Sequence, residues 1–256
     1  MEPDFSKGGE QPPVKAKEAR DLGRRVAEHV HAGEIEQGHA LLAPVLAARA
    51  PFPKLGMIGE AVGAGPLETA NAFLECIASE GAEGGWVVIG TALGQQLGRD
   101  MAGAFERCQR YVVAADVWYG ADILGERVPG PALVASFEPA LGLLAPWRED
   151  ESVWVRRTVG VAVHFWAKRS RGAEGLASRA DVLLAFLEPM FEEWKMAAVK
   201  GVGWGLKTLG RYYGDLVAEW LAEEVIPRER HHRALMLRKA LTYLSEEQRE
   251  RATGSA

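Results

Sequence analysis

The sequence predicts an all-α protein whose helices pair into repeats and stack as a curved superhelix with a concave cleft. Three observations carry that expectation. Apolar residues recur at three- and four-residue spacing, as in Leu22, Val26 and Val30 and again in Leu41, Leu42, Val45 and Leu46, which is the period of a helix face. Alternating β-branched runs, the mark of strands, are scarce. A tryptophan returns near expected helix starts at Trp86, Trp118, Trp154 and Trp194, at intervals of 32, 36 and 40 residues, and such periods match paired-helix repeats. The alternative is a compact helical bundle in which the tryptophan spacing has no meaning.

Taken in chain order, residues 1–13 (MEPDFSKGGEQPP) mix Pro, Gly and charge with little to bury and are expected to be a flexible arm. The helical pattern starts at Val14, so residues 14–256 are expected to form a single repeat domain. AGAGP around Gly65, EGAEGG before Trp86 and VPGP at Pro129 predict short turns between antiparallel neighbours. Three tryptophans open related segments, WVVIGTALGQQL, WVRRTVGVAVHF and WKMAAVKGVGWGL, in which small residues permit close helix packing. RALMLRKALTYL is a shorter echo near the C-terminus.

A chain of 256 residues, 48% hydrophobic and 25% charged, has the composition of a folded domain with a sizeable core. Cys76 and Cys108 have no partners at metal-ligand spacing, and no charged segment followed by an apolar stretch opens the sequence; a cytoplasmic, reduced setting is expected. No apolar run reaches the roughly 18 residues that a membrane span needs. His29, His31, His39, His164, His231 and His232 form no HExxH or Cys/His pattern, and neither a GxSxG elbow nor a GxxxxGK[ST] loop occurs. Zinc, serine-hydrolase and nucleotide-hydrolysis chemistry drop out, and no cofactor or metal is expected. The net charge of −5 argues mildly against nucleic acid, yet residues 151–240 hold 15 Lys and Arg against 11 Asp and Glu. The C-terminal half therefore has the charge for a basic face, which phosphate binding requires.

The candidate site residues lie in three helical segments. In DVWYGADILGERV, Trp118 and Asp122 are four apart and share one helix face, an aromatic plane beside a carboxylate. The plain reading of Asp122 is a solvated side chain or a partner of Arg127. In VWVRRTVGVAVHFW, adjacent Arg156 and Arg157 point about 100° apart, so one is expected to face the cleft, pairing with Asp122 or gripping a phosphate with its planar fork. A salt bridge stapling two repeats is the alternative. In EEWKMAAVKGVGWGLKTLGRYYGDL, Gly201, Gly203 and Gly205 follow no strand and make a poor dinucleotide loop. They suit a helix that approaches a neighbour closely, with Trp204 projecting and Lys195, Lys200, Lys207 and Arg211 along its polar side. A core Trp with solvated lysines is the other reading.

Read together, these pieces resemble the HEAT-like DNA alkylation repair family: a Trp-x-x-x-Asp helix (Trp118, Asp122), W-x-x-R-R (Trp154, Arg156, Arg157) and KGVGWGLK around Trp204. FPKLG at Phe52–Gly56 and RALMLRKALTYL are similar to further family stretches, so the resemblance covers most of the chain. It implies a DNA glycosylase that hydrolyses the N-glycosidic bond of cationic N3- or N7-alkylated purines in double-stranded DNA, for base excision repair and without base flipping. The resemblance implies that Asp122 supplies negative charge to the oxocarbenium-like sugar and positions water. Trp118 and Trp204 would present π faces to sugar and lesion, and Arg157 would hold a phosphate or orient the carboxylate. Arg156, Lys195, Lys200, Lys207, Arg211, Arg228, Arg230, Arg233 and Arg238 are candidate DNA contacts, and a monomer is expected. Ala47 stands where the family often has Tyr, and Lys54 where it has a second Phe, so the N-terminal cleft wall is expected to differ. The segment 171–182 (RGAEGLASRADV) is expected to be an insertion. Two other readings compete: a non-catalytic HEAT-like module for damaged or branched DNA, and a protein-binding scaffold.

Overall fold

In the computed structural model, residues 16–227, 231 and 233–254 are described. The expected arm, residues 1–13, and Arg228, Arg230 and His232 lie outside them. The repeat pattern becomes fifteen α-helices among the described residues, with no strand: α1 (Ala16–His31), α2 (Ile35–Ala47), α3 (Phe52–Gly63), α4 (Leu67–Glu80), α5 (Glu83–Gln96), α6 (Met101–Ala115), α7 (Trp118–Gly125), α8 (Pro129–Ala135), α9 (Phe137–Leu144), α10 (Val153–Ser170), α11 (Ala177–Leu187), α12 (Met196–Tyr212), α13 (Gly214–Trp220), α14 (Ala234–Ala240) and α15 (Glu246–Thr253).

The helices form two rows, as a helical-repeat superhelix does. In the first row α1, α3, α5, α7, α10, α12 and α14 each pack on the next; α2, α4, α6, α9 and then α11, α13 and α15 back them. Each repeat covers its apolar face only by stacking on its neighbours, so one continuous core runs between the rows. Phe73, Trp86, Tyr111, Trp166 and Phe191 are its largest buried side chains.

Glycine sets the spacing within the first row. A Cβ on Gly59 would lie 2.6 Å from the Val88 carbonyl oxygen, and one on Gly63 would overlap the backbone of Ala92, so α3 and α5 touch main chain to main chain. The same holds for Gly160 of α10 against Gly201 of α12. Helix ends follow local chemistry. The Asp100 carboxylate accepts from Gly103 N at 2.9 Å at the start of α6, and Gly81 ends α4 in the left-handed region (φ 64°).

One segment differs from expectation. VPGP is not only a turn, because Pro129 opens α8, where its fixed φ suits the first helical position and its missing N–H is no loss. The segment 171–182, expected to be an insertion, holds a 3₁₀ turn at Glu174–Leu176 and the first residues of α11, whose Leu183, Leu184 and Leu187, just beyond the segment, are buried in the backing row.

Candidate active site

The site is built on α7, α10 and α12, consecutive members of the first row. Between α6 and α7 the chain reverses through Asp116, in the left-handed region at φ 44°, and its carboxylate accepts from Trp154 Nε1 at 2.7 Å. That reversal starts α7 at Trp118, whose ring is 57% exposed and meets Tyr119 edge-on at 5.7 Å between centroids. Trp86, within the first turn of α5 and not at its first residue, is 2% exposed. The repeated tryptophan thus serves the core in one repeat and faces solvent in another.

Four residues along α7, Asp122 meets Arg157 of α10 in a two-pronged pair, Arg157 Nε to Oδ1 and Nη2 to Oδ2, both at 2.8 Å. The remaining Nη1 donates to the Ala197 carbonyl at 3.1 Å. Arg157 is only 8% exposed, and its stem fits because α12 has glycine beside it: a Cβ on Gly201 would lie 2.7 Å from Arg157 Cγ. A buried guanidinium needs its charge answered and its donors used, and this one spends them tying α7, α10 and α12 together.

Arg156 turns the other way. Its Nε donates to Glu193 Oε2 at 2.6 Å and its Nη1 to the Asp150 carbonyl at 2.6 Å. Burial alone would raise the Glu193 carboxyl, but the Arg156 hydrogen bond and the Lys195 and Trp194 backbone amides outweigh it and hold the group below its ordinary range. Arg127, the other partner considered for Asp122, donates to the Ile123 carbonyl at 3.1 Å instead.

Trp204 is half-buried and stacks on His164 at 3.9 Å with 23° between the planes. His164 Nδ1 lies 2.7 Å from Thr208 Oγ1, while the Thr208 hydroxyl donates to the Trp204 carbonyl at 2.9 Å. With that proton committed, His164 donates from Nδ1 and keeps a lone pair at Nε2. Burial, aided by the charge of Lys168, lowers its pKa to about 4, so the ring beneath Trp204 is neutral at pH 7.

Trp204 and Arg157 also border a groove of about 470 Å³ shared with Lys200, Lys207, Leu235, Arg238 and Lys239, with no acidic residue in its lining. Lys239 was not among the candidates. Its stem lies across Gly203, where a Cβ would come within 2.6 Å of Lys239 Cδ. Its pKa is lowered first by burial and then by the charges of Lys207, Arg157, Lys200 and Arg238. Beside the groove, Lys207 and Arg211 flank the exposed Tyr243 ring at 5.1 and 5.3 Å.

The structure thus brings together Asp122, Arg157, Trp204, Lys200, Lys207 and Arg238, with Trp118 one turn away and Arg211 at the edge. Arg156 instead lines a separate cavity of about 350 Å³ with Glu193 and Trp194. Arg233 also sits on the Trp194 side, 4.7 Å over the ring and donating to the Trp194 carbonyl at 2.9 Å, and Lys195 is exposed at the start of α12. At the other end, Ala47, Arg49, Phe52, Glu83 and Tyr119 bound an opening of about 610 Å³. Two residues at the site escaped the sequence reading: His164 and Lys239. Lys239 adjoins Arg238, so spacing was the available signal; His164 carried none.

Among the described residues no group of three His, Cys, Asp or Glu side chains is placed to hold a metal ion, and no helix is long and apolar enough to cross a membrane. Residues 66–244 match the model of a family described as DNA alkylation repair enzyme. That match spans α4 to α14 and every member of the site. No curated protein and no solved structure matches the chain.

Proposed function

We propose that this chain, which belongs to the DNA alkylation repair enzyme family, is a DNA glycosylase that releases cationic N3- and N7-alkylated purines from double-stranded DNA. The observation that carries the reading is the Asp122 carboxylate, fixed by Arg157 on the face of α7 that also carries exposed Trp118, beside a groove lined by Trp204, Leu235 and cationic side chains with no acidic residue.

The chemistry fits the arrangement. An N-alkylated purine already carries positive charge and leaves as a neutral base, so little general-acid help is needed. What the enzyme must stabilise is the positive charge that grows on the sugar as the bond breaks. Asp122 supplies a fixed negative charge without reorganisation, because Arg157 locks both its oxygens. Trp118 and Trp204 offer π faces to cationic groups, each such contact worth roughly 0.5–2 kcal/mol. Lys200, Lys207, Arg238 and Lys239 suit the phosphates of the lesion strand, and excision without base flipping is part of this reading. The protein would act as a monomer in the cytoplasm.

A second reading has one observation in its favour. Arg157 neutralises Asp122, an arrangement that a non-catalytic module for damaged DNA would also tolerate. One experiment separates them: a duplex containing N7-methylguanine or N3-methyladenine is incubated with excess protein and free base is measured. Release by the wild type that Asp122→Asn suppresses supports the glycosylase. Salt-sensitive duplex binding without release supports the binding module.

A further inference from the structure

The Asp122–Arg157 pair leaves a question of chemistry: both carboxylate oxygens already accept from one guanidinium, so Asp122 is well placed to supply charge and poorly placed to take a proton. A second carboxylate stands on the same face. Trp118, Asp122 and Glu126 follow at four-residue spacing, and the backbone at Glu126 is still helical (φ −73°, ψ −14°). Unlike Asp122, Glu126 is held by no two-pronged ion pair: its charge acts on neighbouring Arg127, and His164 Nε2 lies 3.8 Å from its Oε1. That separation is too long for a direct hydrogen bond, and with Nδ1 donating to Thr208 both facing atoms are acceptors. Two acceptors at this distance call for a donor between them. Glu126 is 35% exposed and lines an open cavity of about 410 Å³ with Thr91, Gln95, Arg127, Phe165 and Arg169, so water has access.

We propose, resting on the glycosylase reading, that Glu126 and His164 hold the attacking water. The water donates one hydrogen to Glu126 Oε1 and the other to His164 Nε2, which turns its oxygen lone pairs outward. His164 also stacks on Trp204, so the water is seated beside the ring assigned to the cationic base. As the oxygen bonds to C1′ of the sugar, the C1′–N bond breaks and its electron pair neutralises the base. The water proton passes to the Glu126 carboxylate. It goes there because protonation removes a charge at Glu126, whereas it would create one on the buried imidazole. Asp122 then stabilises the sugar cation, and Glu126 with His164 directs and deprotonates the nucleophile.

The test is single-turnover release of base from an N7-methylguanine duplex by the full chain, with duplex affinity from fluorescence anisotropy and folding from thermal melting. Glu126→Gln keeps the shape and removes the base; it is expected to slow release about 100-fold or more while affinity stays within about twofold and melting is unchanged. His164→Phe keeps a ring under Trp204 but removes the acceptor, and about a 10-fold loss is expected. In Glu126→Ala, added formate supplies a small carboxylate and is expected to restore part of the rate. If Glu126→Gln releases base as fast as the wild type, the water assignment is overturned and the glycosylase reading stands. If the wild type releases no base, both fall.

Discussion

The two ends of the first helix row use the same packing device for different purposes. In α3 and α5, Gly59 and Gly63 lie against Val88 and Ala92, and the residues around the contact, Leu55, Ile58, Val62, Ile89 and Leu93, are all buried. In α10 and α12, Gly160 and Gly201 make the same backbone contact, but the side chains beside it are Arg157, His164, Lys200 and Trp204. Close approach without a Cβ is therefore a property of the repeat. The difference lies in what the second contact carries at its edge: the space left by Gly201 holds the Arg157 stem, and that left by Gly203 holds the stem of Lys239.

The largest effects expected from this contrast are on folding. Gly63→Val and Gly201→Val both force a side chain into a neighbouring backbone and are expected to cost about 3 kcal/mol or more in thermal or urea unfolding. Only Gly201→Val should also displace Arg157 and lower duplex affinity. Gly142→Ala, with nothing within 4 Å of its Cβ, is expected to be neutral or to stabilise by about 0.5–1 kcal/mol.

The two adjacent arginines give the next effect. Asp122→Ala strands a buried guanidinium and is expected to destabilise by about 3 kcal/mol and abolish base release. Glu193→Gln weakens the matching pair at Arg156 and should lower the melting temperature while leaving single-turnover release within about threefold of the wild type. Equal loss of activity in both would erase the distinction between the two sides of α10.

A smaller effect separates the ends by charge. Lys200→Ala and Lys207→Ala should each reduce the slope of log affinity against log salt by about 0.9, whereas Lys54→Ala in α3 should leave it unchanged. The smallest effect is on pH dependence. His164 titrates at about 4 in the folded chain and near 6.5 when unfolded. Protons therefore bind the unfolded state first, and stability falls as pH drops from about 6.5 to 4. His164→Phe should flatten the melting temperature across that window.

Much of this organisation was legible because it lies in local spacing. The Trp118–Asp122 face, the glycine-rich α12 and the tryptophan period are i to i+4 or repeat-length signals. What was illegible depends on partners far apart in sequence. Adjacent arginines on a helix must diverge, yet only the fold assigns Arg157 to Asp122 of the preceding first-row helix and Arg156 to Glu193 in the turn before α12. His164 fitted no motif and acquired its place from Trp204 and Thr208, about 40 residues away in the next helix. The fate of Trp86 and Trp118, one buried and one exposed, likewise follows from what each repeat packs against.

The central claim is tested most directly by mixing excess wild-type protein with a duplex carrying one N7-methylguanine and measuring free 7-methylguanine over time, beside Asp122→Asn. The account predicts release well above the spontaneous rate by the wild type and at least a 100-fold slower release by Asp122→Asn at saturating protein. Release at the spontaneous rate by the wild type, or equal release by the two proteins, would contradict it.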